Sequence, residues 1–432
     1  MAITGSNSSA ATSETAVSAA DVVVGFATRD HAATAGDVVR ETRAALERLA
    51  PSRRWCIVAA DGGSTDGTVE RMREAAGGAG ALVDVHYTRQ PSDALEMPYH
   101  GLPGRARALQ AILREAQARQ ARACIVLDAR GIASAADWLT AIDPLVAGEL
   151  DFVAPVYDRH PAMAGLLHGL VAPVFRALYG VGLTSPLATE FACSRRFIDA
   201  VLDDPVWHSD AGQRGIDLWL PTAAVTGGLQ PGEAHIGMRP HDERSDLDVA
   251  AIVAQIVGAL FTDMERRVQV WQRIRGARAV RRIGERREPE APRVDEARLI
   301  ESFRLGYGAL QEVWAEVLPP MAILQWRRLA VVPTDGFRVD DALWARTIYD
   351  FAMGHRLRVI ARDHLLRSLT PMYLAWLASF VLQVRHLGVA EADARIERLG
   401  RAFEVEKPYL ISQWRWPERF RPVKLRRGER GR

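Results

Sequence analysis

Cys56-Ile-Val-Ala-Ala60 runs directly into Asp61-Gly-Gly-Ser64-Thr-Asp66-Gly-Thr68. Five consecutive apolar residues followed by acids, glycines and hydroxyls read as a buried strand that ends in a ligand-facing loop. The helix expected after it covers residues 64–75, with Ser64 as its cap. Upstream, VVVGFA at 22–27 is a second apolar run, and residues 36–49 place Val38, Val39, Thr42, Ala45, Leu46 and Leu49 on one helical face. Downstream, strands are expected at 83–87, 123–127 and 151–156. A helix at 105–119 turns Leu109, Ile112, Leu113 and Ala116 inward. Strand alternating with helix over some 130 residues specifies an α/β fold, a mostly parallel sheet with helices on both faces. Such sheets bind ligands in the crevice at the carboxyl ends of their strands, so the chemistry is expected in the loops after them.

The chain has 432 residues, is 48% apolar and 25% charged, and has a formal charge of only +2. This is the composition of a globular protein, and the near-neutral charge argues against nucleic-acid binding over a broad basic surface. Lysine is confined to Lys407 and Lys424, so a single arginine carries little information here. Cys56, Cys124 and Cys193 are odd in number and lie far apart, which excludes a disulfide scaffold and a CxxC zinc site and fits a cytoplasmic protein. Residues 1–20 read as a disordered tail, 21–265 as the α/β domain, 266–294 as an Arg- and Pro-containing linker, 295–415 as a helical domain and 416–432 as a basic tail. Seven of the eleven tryptophans follow residue 270. The greasy stretch 163–183 carries His168 and Arg176 and is broken by Pro173, so no membrane span is expected from it.

At a strand end, Asp61 can accept hydrogen bonds from a base or a ribose, and glycines let the backbone approach a ligand closely. The DGGSTDGT loop after the second strand resembles that of the nucleotide-sugar glycosyltransferases of the GT-A fold, family 2 and its retaining relatives. Further segments follow in the same order: Phe26-Ala-Thr-Arg29-Asp30-His31 after the first strand, Pro103-Gly104-Arg105-Ala106-Arg107-Ala108-Leu109 at a helix start, and Leu127-Asp128-Ala129-Arg130 in the place of the Asp-x-Asp motif. Asp137-Trp138, Pro186-Leu187-Ala188-Thr189-Glu190, Gly215-Ile216-Asp217 and Glu233-Ala234-His235 then resemble segments of the mannosylglycerate synthase and glucosyl-3-phosphoglycerate synthase group. The similarity covers roughly residues 22–400 and implies a GT-A domain with a C-terminal helical domain.

The resemblance implies that Asp30, Asp61, Arg105, Asp128 and Arg130 face the nucleotide sugar. It makes Asp217 and Glu190 the catalytic-side carboxylates that contact acceptor and donor sugar, and Asp128 and His235 the ligands of a Mn²⁺ or Mg²⁺ ion. It implies retention, with the leaving diphosphate accepting the proton, and a small polar acceptor of glycerate or phosphoglycerate type; arginines near Glu190, together with Arg239, could hold its acid group. Tyr157, Arg159 and His160 are further pocket candidates. A homodimer is compatible with the Trp-rich half.

One departure matters. Arg130 stands where the second aspartate of Asp-x-Asp ordinarily meets the metal, and a cation cannot ligate a cation. Three readings stay open: Arg130 neutralises the diphosphate itself; Asp128 and His235 hold the metal alone; or the protein binds nucleotide sugar without turnover. A nucleotidyltransferase is disfavoured, because FATRDHAATAG lacks a Gly-rich G-x-G-T-R-like loop.

Overall fold

A computed structural model describes residues 18–77, 82–87, 99, 102–131, 134–160, 163, 165–237, 248–288 and 294–420. Most of both expected tails, and Arg239, lie outside the described residues.

The α/β half forms one sheet of eight strands: β1 (Val22–Thr28), β2 (Trp55–Asp61), β3 (Leu82–His86), β4 (Ala123–Asp128), β5 (Phe152–Val156), β6 (Phe191–Ser194), β7 (Pro231–His235) and β8 (Arg281–Ile283). Their order is β3-β2-β1-β4-β6-β5-β7-β8, and β6 alone among the described strands runs antiparallel to its neighbours. This is the mostly parallel α/β sheet expected from the sequence. All seven residues of β1 are buried. Alternate ones face opposite cores, with Val23 and Ala27 in one cluster and Val22, Val24 and Phe26 in the other, as a sheet covered on both faces requires. Gly25 lets the helix Arg105–Ala118 settle on the sheet, since a Cβ there would lie 2.2 Å from Ile112.

Register sets the site. Thr28 pairs with Asp61, and Ala27 with Asp128, so the tips of β2, β1 and β4 end level. Because β6 runs backwards, its first residue Phe191 pairs with Val126, which brings the preceding Glu190 to the same edge as the end of β4. On the far side, Val156 pairs with His235.

Two local expectations change. Ser64 does not cap a helix; the helix is Thr68–Ala76, entered through Gly67 at φ 85°, and Ser64 belongs to the loop before it. The stretch expected as a linker supplies the edge strand β8. The helical half, from Glu296 to the last helix Val389–Arg415, packs on its own sheet domain. One apolar core runs through both, from Leu170 and Phe175 to Trp344 and Trp376. Trp344 Nε1 donates to the Gly169 carbonyl at 2.7 Å, and its ring stacks on Trp376 at 5.9 Å. Lys407, 6% exposed, donates to the carbonyls of Ala177 and Ile274, which ties the last helix to the α/β half. Within the described residues one helical stretch, Arg362–Val384, is long and apolar enough to cross a membrane, but 72% of its apolar window is buried inside the protein, as in a core helix.

Candidate functional site

The loops after β1, β2 and β4 form one cross-linked rim. Asp61, only 1% exposed, spends its carboxylate within the rim: Oδ1 accepts from Thr28 Oγ1 and Ser64 Oγ, and Oδ2 accepts from the N–H groups of Gly63 and Ser64 at 2.8 Å. Asp66 accepts from the Ala32 and Thr68 N–H groups, and Thr34 Oγ1 donates to the Ala129 carbonyl. Asp30 sits in the left-handed region at φ 52°, a backbone shape Asp tolerates better than most residues. Its N–H donates to Ser64 Oγ and its Oδ1 accepts from Thr65 N–H, while the side chain stays 44% exposed on the rim beside Arg29. Of the two expected nucleoside contacts, Asp30 is therefore accessible, whereas Asp61 organises the loop.

At the tip of β4, Arg130 folds back on Asp128. Its Nε lies 2.9 and 3.1 Å from the two carboxylate oxygens, its Nη2 is 2.6 Å from Oδ2, and its own N–H reaches Oδ1 at 2.8 Å. Burial works to raise the Asp128 pKa, but these bonds hold the carboxyl below its ordinary value. His31, in the β1 loop, lies close enough to feel Asp128, Arg130, Asp66 and Asp30, and burial keeps it neutral further into acid than a free imidazole. The sequence reading did not single it out, because an isolated histidine in a loop carries no pattern.

Glu190 lies beside Asp128 and is 1% exposed. Its Oε1 accepts from the Asp128 N–H at 2.9 Å and its Oε2 from the Trp138 indole at 3.4 Å. Burial, aided by the Asp128 charge, pushes its pKa up to about 8. Asp217, within the helix Asp210–Thr226, forms a buried ion pair with Arg105 at 2.7 Å, the two side chains 7% and 5% exposed. The same guanidinium donates to the Thr189 carbonyl at 2.5 Å and more weakly to that of Ala188 at 3.4 Å. Arg105 and Asp217 thus hold the segment that delivers Glu190. Thr189 also hydrogen-bonds the partly buried Tyr99 and Tyr157 side chains, whose hydroxyls desolvation pushes above their ordinary range. Tyr157 and Arg159 line a cavity that also reaches His235, whereas His160 is buried nearby.

His235 stands at the tip of β7, three strands from β4 in sheet order. Its Nδ1 is 2.9 Å from Asp158 Oδ1. Among the described residues no group of three or more His, Cys, Asp or Glu side chains converges as a metal site. Asp128 is clamped by a guanidinium and lies three strands from His235 in sheet order, so the two do not fit a shared Mn²⁺ or Mg²⁺ ion, although the Asp158 contact at Nδ1 leaves the His235 Nε2 open.

No family model matches the sequence and no curated protein matches it. Among solved structures, the chain is similar to glucosyl-3-phosphoglycerate synthase of Mycobacterium tuberculosis, at 19% identity and a TM-score of 0.41 over 57% of this chain and 80% of that one. It is similar to the same enzyme captured with Mn²⁺, UDP-glucose and phosphoglyceric acid, at 19% identity and 0.36 over 57% and 79%. Mannosyl-3-phosphoglycerate synthase of Rubrobacter xylanophilus gives 19% identity and 0.41 over 59% and 77%.

Proposed function

We propose that the protein is a nucleotide-sugar-dependent glycosyltransferase that acts with retention and uses Arg130 where relatives use a divalent cation. One observation carries this reading: the level tips of β1, β2 and β4 bring Asp30, Asp128 and Arg130 to one rim, with a partly buried guanidinium at the position of the metal-binding aspartate. Among the solved structures similar to this chain, a glucosyl-3-phosphoglycerate synthase holds UDP-glucose, in keeping with the donor class.

Asp30 meets the nucleoside at the rim, and Asp61 keeps the loop in shape for it. Arg130, pinned by Asp128 in one orientation, offers its remaining N–H groups to the diphosphate and neutralises the charge that grows as the glycosyl bond breaks. A guanidinium held in advance costs no reorganisation at that moment. Asp217 and Glu190 are positioning residues in this reading. Both Glu190 oxygens are engaged inside the protein, so no base is assigned on the acceptor side, and the departing diphosphate oxygen takes the acceptor proton.

Donor hydrolysis and transfer with UDP-, GDP- and ADP-sugars, each with and without EDTA, test the proposal. The expected result is turnover with at least one donor, insensitive to chelation. Binding without turnover would favour a non-catalytic nucleotide-sugar-binding protein, and no binding of any donor would overturn the reading.

A further inference from the structure

A cavity of 340 Å³ opens beside the rim, at the carboxyl ends of β5 and β7. This is the size range of small-molecule sites. Tyr157 and His235 line it, and so do Asp393 and Glu397 of the last helix. Its wall includes His168, on the π-helical turn Leu167–Val171, a backbone irregularity that recurs at functional sites. Tyr157 connects the two regions electrostatically, since it feels Glu190 and is felt by Arg130.

The lining says what fits. Three of the four arginines that line the cavity are already held by carboxylates: Arg286 pairs with Asp393, Arg176 with Glu397 and Glu404, and Arg282 with Glu233 at 3.0 Å. Arg159 lies over the Tyr157 ring, 5.3 Å from its centroid. At each of the three paired arginines an incoming carboxylate or phosphate would have to displace a resident acid and then sit beside it, which like charges oppose. The side chains of Asp393 and Glu397 are still 43% and 44% exposed, so they retain lone pairs for hydroxyl donors. His168 Nδ1 is shielded from water and has no hydrogen-bond partner. Burial lowers the pKa of this ring to about 4, so it is neutral and carries one donor and one acceptor nitrogen. A hydroxyl that reaches the ring can donate or accept, whereas an anion can only accept from the N–H.

We infer that this cavity is the acceptor site and takes a neutral polyhydroxylated molecule, a monosaccharide or a polyol, in preference to an acid. The inference rests on the glycosyltransferase reading for the word acceptor, and it replaces the glycerate-like acceptor expected from sequence. In the step it implies, an acceptor hydroxyl oxygen bonds to the anomeric carbon as the bond from that carbon to the diphosphate oxygen breaks. The bonding pair leaves with the diphosphate, which also collects the hydroxyl proton, giving a glycoside and a nucleoside diphosphate.

Calorimetry on the full chain with D-glucose, D-mannose, myo-inositol and glycerol, set against D-glycerate and 3-phosphoglycerate, tests this. At least one neutral probe should bind, and the acids should bind at least about tenfold more weakly than it. Asp393→Asn should weaken the best neutral probe about tenfold, the scale of one hydrogen bond to a charged group, and should tighten the acids because Arg286 is released. His168→Phe should weaken the neutral probe to a similar degree; His168→Gln serves should the phenylalanine variant fail to fold. Acids binding more tightly than every neutral probe, an unchanged preference in Asp393→Asn, or no neutral probe binding would each overturn the inference. Nucleotide-sugar binding is measured separately. Neutral probes binding without any donor leaves the cavity assignment standing and removes the transferase reading, whereas donor turnover without neutral-probe binding removes only the cavity assignment.

Discussion

The buried pair Arg105–Asp217 gives the sharpest test of which acids act on substrate and which hold the protein in shape. The two groups meet at 2.7 Å with almost no solvent exposure, and Arg105 also anchors the carbonyls of Ala188 and Thr189. Removing one member strands the other charge in the interior, which costs about 3–5 kcal/mol. Asp217→Leu and Arg105→Met should each fall in that range. Asp217→Asn keeps the shape and loses the charge, and should cost about 2–4 kcal/mol. Replacing the pair by apolar residues of similar volume removes both charges together and is nearly neutral in itself. The carbonyls of Ala188 and Thr189 then lose their donor, at about 1 kcal/mol each. The double variant Arg105→Met/Asp217→Leu should therefore cost about 2 kcal/mol, less than either single change. Thermal unfolding followed by circular dichroism reads this as a smaller loss in Tm for the double variant, at roughly 2 °C per kcal/mol or less for a chain of this size. Transfer activity should fall in step with stability in the single variants, because the segment carrying Glu190 loosens. An Asp217→Asn variant that melts like the wild type but has lost transfer would refute the reasoning and make Asp217 a group that touches substrate.

Arg130→Ala should reduce donor turnover by about 10²–10³-fold, the effect of losing one preorganised charge-stabilising group, while Arg130→Asp should become Mn²⁺-dependent; wild-type activity abolished by EDTA and restored by Mn²⁺ would sink the metal-free assignment. Because the folded-state pKa of His168 lies at about 4, below its ordinary 6.5, the unfolded chain binds a proton that the folded one refuses between these values, so stability is lost as pH falls through that window. His168→Phe removes this penalty, and urea unfolding at pH 7 and pH 4.5 should show the variant gaining on the wild type at the acid end, up to about 3 kcal/mol. A Cβ at Gly169 would lie 2.0 Å from the Trp376 ring, so Gly169→Ala should destabilise the chain by about 1–3 kcal/mol or more and red-shift tryptophan fluorescence as the seam between the two halves opens.

The sequence alone determined the parallel sheet, because apolar runs at 22–27, 56–60 and 123–127 separated by amphipathic helices admit few other packings. It also determined which loops carry the chemistry, since the acids follow those runs directly. It could not say what each acid faces. Asp61 and Asp30 look alike in sequence, yet one is consumed by four donors from the loop and the end of β1 and the other stands at the rim. The antiparallel β6, which sets Glu190 against Asp128, depends on a pairing between strands more than sixty residues apart. Arg130 was visible as a break in a pattern, but only its fold back onto Asp128 turned that break into a clamp. The cavity with His168 and Asp393 joins residues more than two hundred positions apart in the chain. Local propensity and periodicity act over a few residues and are written in the chain; hydrogen-bond satisfaction and charge pairing are settled by whichever distant groups the packed core brings within 3 Å.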